Sequence, residues 1–137
     1  MKVVLDSNIL FRILISGDEL INLLFDKDLE LFAPERLREE FVNNKLEILS
    51  KSKLSEDEFN ELASIIFEII RFVPLDKYKE FLVKAKELLK EHVKDIEFVA
   101  LALKLNCLVW TYESLFFDVN LGISTKELST KLNKFKL

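Results

Sequence analysis

A three-layer α/β/α domain with a mostly parallel central sheet is predicted by three features of the sequence. Short apolar runs rich in Val, Leu and Phe alternate with longer stretches of helical period along the 137 residues. The connections between them are short, and only two Gly and two Pro punctuate the chain. Strands that alternate with helices in this way form a mostly parallel sheet whose crossovers cover its faces.

The first strand is expected over Val3 to Leu5, stopped by Asp6-Ser7-Asn8, three good N-cap residue types for the helix that follows. A helix over roughly Glu19 to Phe25 leads to a second strand over Leu29 to Ala33. The next helix, Pro34 to Leu49, has apolar positions Leu37, Phe41, Val42, Leu46, Ile48 and Leu49 over about half its circumference. Glu39 and Glu40 both fall outside that arc, and periodicity does not choose between them. A helix over Ser55 to Arg71, a strand over Phe72 to Pro74 and a helix over Lys77 to Leu89 follow.

The helix over Asp95 to Leu105 is apolar except for Glu97 and Lys104, which share one narrow stripe, so it is expected to be buried. Asp95 points almost opposite that stripe, towards the interior or a cleft, where a carboxylate needs a partner. A fourth strand over Cys107 to Thr111, a weaker fifth over Asn120 to Ile123 and a helix over Thr125 to Leu132 complete the chain. With no internal repeat, low-complexity segment or Ser/Gly/Pro linker, residues 1–137 are expected to form one domain.

Half the residues are hydrophobic, and a domain near this size buries roughly 68% of its unfolded surface, enough for a core without staples. Cys107 is the one cysteine, which excludes an intrachain disulfide. Asp6 interrupts the opening apolar residues before a signal region forms, and no run approaches the roughly 18 to 20 apolar residues of a membrane span. A cytoplasmic protein with no membrane contact is the expectation. The net charge of −4 and pI of about 5.2 would repel a polyanion, so binding nucleic acid requires a local patch or bound cations.

In parallel sheets ligands bind at the carboxyl ends of the strands. Asp6 stands at such an end, as a site carboxylate or as a helix cap; Asp95 has the same two roles open to it. Glu113 follows the fourth strand and Asp118 comes a little later, either of them a site acid or part of a solvated loop. Two carboxylates about 4 Å apart repel by roughly 4 kcal/mol at an effective dielectric near 20, so converging acids call for a cation. Mg²⁺ or Mn²⁺, which take oxygen ligands and can activate water against a phosphodiester, fit that inventory. His92, the single histidine, and Cys107 are too few for a zinc site and read as a surface and a core strand residue; a Gly-rich phosphate loop is missing.

These stretches resemble the PIN-domain family, which includes the ribonuclease toxins of toxin–antitoxin pairs, over essentially the whole chain. Val3-Val4-Leu5-Asp6-Ser7-Asn8-Ile9-Leu10-Phe11 is similar to its opening strand and Asp-x-Asn. Phe32-Ala33-Pro34-Glu35, leading to Glu39-Glu40-Phe41, resembles the strand and helix start that supply the next acid. Asp95 to Leu103 resembles its Asp-led, Ala/Leu-rich helix, Trp110-Thr111-Tyr112-Glu113 its Trp-Thr-Asn-Asp segment, and Gly122-Ile123-Ser124-Thr125 its final strand and turn. Each motif is weak alone; their order and spacing make the likeness specific.

The resemblance implies a metal-dependent endoribonuclease that hydrolyses RNA through catalytic and metal-binding Asp6, Glu40, Asp95 and Glu113, with Asp118 as a substitute donor. Glu40 is taken over Glu39 because the family's acid usually precedes an apolar residue, here Phe41. Asn8 would orient Asp6, and Thr111 would hydrogen-bond the cluster or a phosphate. The small size is similar to that of the toxins, which implies an antitoxin protein as inhibitor, and the family likeness implies a homodimer. Tyr112-Glu113 departs from the family's Asn-Asp, and the extra methylene of Glu shifts a ligand by roughly 1.5 Å.

That departure supports the alternative, a non-catalytic PIN-like scaffold that binds RNA or protein through a degenerate metal site. A receiver-like phosphoryl-transfer domain also places an Asp after a strand, but a second strand-end Asp of that kind is missing here. Lys45, Lys51 and Lys53, and separately Lys126, Lys131, Lys134 and Lys136, are candidate phosphate contacts, although helix lysines commonly serve solubility.

Overall fold

The computed structural model describes residues 1–17 and 20–134, with the side chain of Lys134 left out. The proposed start of the second helix at Glu19 and the candidate contact Lys136 lie outside the described residues, as does the side chain of Lys134. Five strands form one parallel sheet: β1 (Lys2–Leu5), β2 (Glu30–Pro34), β3 (Arg71–Val73), β4 (Leu108–Trp110) and β5 (Gly122–Ile123). Their spatial order is β3-β2-β1-β4-β5. The chain therefore runs outward from β1 in one direction, returns, and continues from β4 in the other. Val4 is paired with Phe32 on one side and Val109 on the other. With neighbours on both edges and helices over the faces, β1 buries Val3, Val4 and Leu5 completely, which is why it carries a continuous apolar run.

Among the described residues the helices are α1 (Ser7–Ser16), α2 (Leu20–Leu24), α3 (Arg36–Lys51), α4 (Glu56–Ile69), α5 (Leu82–Leu89), α6 (Ile96–Leu105), α7 (Ser114–Asp118) and α8 (Thr125–Lys134). They flank the sheet to give the three-layer α/β/α architecture. The α6 helix packs across β1, β2 and β4 and is covered by α5, so Phe98 to Ala102 are buried around the whole helix. Its end is set by Asn106 in the left-handed region (φ 51°), which caps backbone carbonyls of the last turn. At the other face α1 packs on α3 and α4. A capping box between Ser55 and Glu58 starts α4, satisfying two otherwise unpaired backbone donors.

Several boundaries differ from the sequence expectation for local reasons. Pro34 pairs with Val73 in the sheet, so α3 begins at Arg36 rather than at the proline. The segment expected as a helix from Lys77 is two 3₁₀ turns, Leu75–Lys77 and Lys79–Phe81, before α5 begins. Between them Tyr78 takes φ −131°, buries its ring, and donates its hydroxyl to Glu97 at 3.0 Å. Asp95 closes another 3₁₀ turn, Val93–Asp95, one residue before α6. Cys107 precedes β4 and is half-buried, with its thiol pushed up to about 11 by burial. The apolar arc of α3 is covered only in part: Leu37, Phe41 and Ile48 are buried, whereas Val42 and Leu46 are 74% and 83% exposed.

Candidate active site

The strand order reverses between β1 and β4, and such a switch point opens a crevice beyond the carboxyl ends of the two strands. Asp6 is the first residue past β1, and its backbone N–H donates to the carbonyl of Trp110 at 3.1 Å, continuing the ladder into the crevice. Its carboxylate is 1% exposed. Oδ1 accepts from the Ser7 backbone N–H at 2.8 Å, and Oδ2 accepts from the Thr111 hydroxyl at 2.6 Å. Asp6 therefore caps α1 and is bonded to the residue after β4 at once. The Thr111 Oγ1 in turn accepts from the Glu113 backbone N–H at 2.9 Å, tying the turn after β4 to the end of β1.

Asp95 and Glu113 act electrostatically on this carboxylate. Burial, together with the charges of Glu113 and Asp95, pushes the Asp6 carboxyl up to about 7 against the pull of its Thr111 and Ser7 hydrogen bonds. Asp95, half-buried and without a side-chain cap bond to its own helix, is pushed up to about 6 by burial and by the charges of Glu113 and Glu40. His92, exposed on the preceding turn, and Arg36 pull it the other way.

Glu40 stands one turn into α3 and is partly buried, whereas its neighbour Glu39 is exposed. The Nε of Arg36 donates to Glu40 Oε1 at 3.1 Å, and another guanidinium nitrogen lies 3.6 Å from Glu97 Oε2. Arg36 thus links the acid on α3 to the polar stripe of α6, where Tyr78 holds the other Glu97 oxygen. Burial, together with the same Glu97 contact, raises the Tyr78 hydroxyl above its ordinary range, so that it remains a donor. Neither Arg36 nor Tyr78 is among the residues singled out from the sequence. The i,i+4 spacing of Arg36 and Glu40 is the legible signal for the first; the second needs the fold.

Asn8 sits in the first turn of α1, its amide oxygen buried and without a hydrogen-bond partner. Asp118 ends α7, exposed, and is absent from the charges acting on Asp6 and Asp95. Lys45, Lys51, Lys53, Lys126 and Lys131 are exposed, Lys51 being paired with Glu47 at 3.0 Å.

Asp95 and Glu113 thus act on Asp6, and Glu113 and Glu40 act on Asp95. Residues 4–135 match the family model of the PIN domain. The chain belongs to the PIN domain family. No curated protein matches it in sequence. PIN domains are generally nucleases that use divalent metal ions, which supports a nuclease-like role and an association with nucleic acid for this one. Among the described residues no helix is long and apolar enough to cross a membrane.

The donor set of this PIN domain suits a hard cation in kind, being carboxylates alone, and in charge, since burial and the charge of Glu113 raise the proton affinity of both Asp6 and Asp95. Among the described residues, however, no three acidic, imidazole or thiol groups stand in a geometry that could hold one ion as they are oriented. Glu40 is turned to Arg36 and Glu113 is exposed, so side-chain rotation is required before either could join Asp6 or Asp95 on one cation.

Proposed function

We propose that this PIN domain is a metal-dependent endoribonuclease in which Asp6, Glu40, Asp95 and Glu113 hold Mg²⁺ or Mn²⁺. The observation that carries this reading is the raised proton affinity of Asp6 and Asp95, two carboxyls from distant parts of the chain that burial and the charge of Glu113 both elevate, while Thr111 ties the end of β1 to the turn that carries Glu113. Uncompensated carboxylate charge is costly, and a cation removes the cost. When bound, the ion supplies positive charge for a phosphate and acidifies a water. The protein's part is to keep Asp6 oriented: Thr111 and the Ser7 N–H each occupy one of its oxygens while leaving lone pairs directed elsewhere. Arg36 restrains Glu40 and limits the negative charge that Asp95 experiences. In hydrolysis the water oxygen forms a bond to phosphorus as a bridging P–O bond of the backbone breaks.

A toxin role, a protein inhibitor and a homodimer extend this proposal and rest on the family likeness. The test is cleavage of a pool of structured and single-stranded RNA with Mn²⁺, Mg²⁺ or EDTA, comparing the wild type with Asp6→Asn and Asp95→Asn. Cleavage that needs the metal and disappears in both variants is expected. Metal or RNA binding by the wild type with no cleavage would replace the proposal with a second reading, a non-catalytic scaffold. The exposed Glu113 and the lack of three positioned donors among the described residues favour that alternative.

A further inference from the structure

A largely apolar hollow of about 450 Å³ is lined by Asn8, Phe11, Arg12, Ile15 and Ser16 of α1 and by Tyr112. The volume lies in the range of small-molecule pockets. Tyr112 is flanked in sequence by Thr111, which holds Asp6, and by Glu113, and Asn8 follows Asp6 by two residues, so the chain ties two walls of the hollow to the site's acids. Its ring is 45% exposed, and the Arg12 guanidinium lies over it, 5.2 Å from the centroid. The guanidinium braces the ring, and both groups stack on nucleobases. Asn8, whose buried amide oxygen has no partner, forms another part of the lining.

We propose that this hollow is a nucleobase subsite: a base flanking the scissile phosphate of a single-stranded RNA stacks on Tyr112 while Arg12 contacts the base face or adjacent phosphate. The proposal rests on the nuclease reading for the position of the phosphate. It gives the Tyr112 departure from the family's Asn a function in binding instead of a loss. A base paired within a duplex cannot present its face to a protein ring, so the subsite selects unpaired substrate. It also answers the net charge of −4, since stacking holds the strand where the overall field does not. Phe11 and Ile15 also line a second, mixed hollow with Asn44, Glu47, Ile48 and Lys51 of α3.

The test measures fluorescence-anisotropy affinities of the full chain for a labelled single-stranded oligoribonucleotide, the same strand in a duplex, and an abasic strand. The measurements are made in Ca²⁺, with cleavage read separately in Mn²⁺. Tyr112→Ala is expected to weaken single-strand binding by about tenfold or more, the scale of one lost base stack, and to leave duplex and abasic binding unchanged. Tyr112→Phe, which retains the ring, is expected to restore most of the affinity. Single-strand affinities equal in the wild type and Tyr112→Ala, or an equal loss on the duplex, overturn the subsite even if the wild type cleaves RNA. A Tyr112-dependent preference for single strands in a protein that cleaves nothing supports the subsite and refutes the nuclease reading. A wild type that binds none of the three overturns the proposal.

Discussion

The Thr111 hydroxyl donates a 2.6 Å hydrogen bond to Asp6 Oδ2 across 105 positions of sequence, joining the ends of β1 and β4 at the point where the strand order reverses. Both residues are 1% exposed, so the bond is made out of reach of water. It opposes the burial that would otherwise neutralise Asp6 more completely.

Replacing Thr111 with Val keeps the shape and removes the hydroxyl, leaving Asp6 Oδ2 and the Glu113 N–H without that partner. A hydrogen bond to a charged group contributes about 1.5–3 kcal/mol, and Thr111→Val is expected to lose that much at pH 8. At pH 5, with Asp6 protonated, the loss is smaller, and Thr111→Ser recovers most of it. Urea denaturation at the two pH values measures this; equal stability of Thr111→Val and the wild type at pH 8 would contradict it.

The raised carboxyls determine how stability depends on pH. Asp6 and Asp95 move from an ordinary 3.8 to about 7 and about 6, so between these limits the folded protein holds protons that the unfolded chain releases. This stabilisation is complete below pH 3.8 and is lost as pH rises through about 6 to 7. For Asp6 the span is about three pH units at about 1.4 kcal/mol each, an upper figure of about 4 kcal/mol. The more exposed Asp95 contributes less because solvent screens it. In EDTA, unfolding free energy is expected to fall between pH 5 and 7.5, with most of the slope gone in Asp6→Asn. Adding Mn²⁺ should flatten the slope and stabilise by about 2.7 kcal/mol at a hundred times its dissociation constant. A flat or rising metal-free profile would show that Asp6 is not elevated.

Glu113 and Asp118 are separated by their effect on the other acids: Glu113 raises both Asp6 and Asp95, whereas Asp118 is not among the charges acting on either. Loss of outer partners of a metal site costs about 10- to 100-fold, so Glu113→Gln is expected to lower RNA cleavage by at least about 100-fold as loss of a direct ligand. Asp118→Asn is expected to stay within about threefold, less than the loss of even an outer partner. Initial rates in Mn²⁺ decide it, and the reverse order would make Asp118 the completing ligand.

The architecture was legible because the patterns that encode it are local. The unbroken apolar run of β1 and the nearly all-apolar α6 each state their own burial, and the alternation of strands with helices leaves few topologies open. Asp6 was legible for the same reason, standing where a buried strand must end. Reading Asp95 as the first turn of its helix extended the helical period one residue too far, into a 3₁₀ turn. Val42 and Leu46 show the opposite limit: periodicity identifies an apolar arc but not how much of it a neighbour covers.

By itself the sequence determined the class of fold, the order of its elements and the carboxylates available at strand ends and helix starts. Only the tertiary structure decided which groups act on one another: that Thr111 holds Asp6, that Glu113 and Asp95 raise its proton affinity, that Arg36 restrains Glu40, and that Tyr112 lines a hollow with residues of α1. Helix and strand preferences are carried by neighbours along the chain, whereas burial and electrostatic interaction depend on distances between residues far apart in sequence, which exist only once the sheet has assembled.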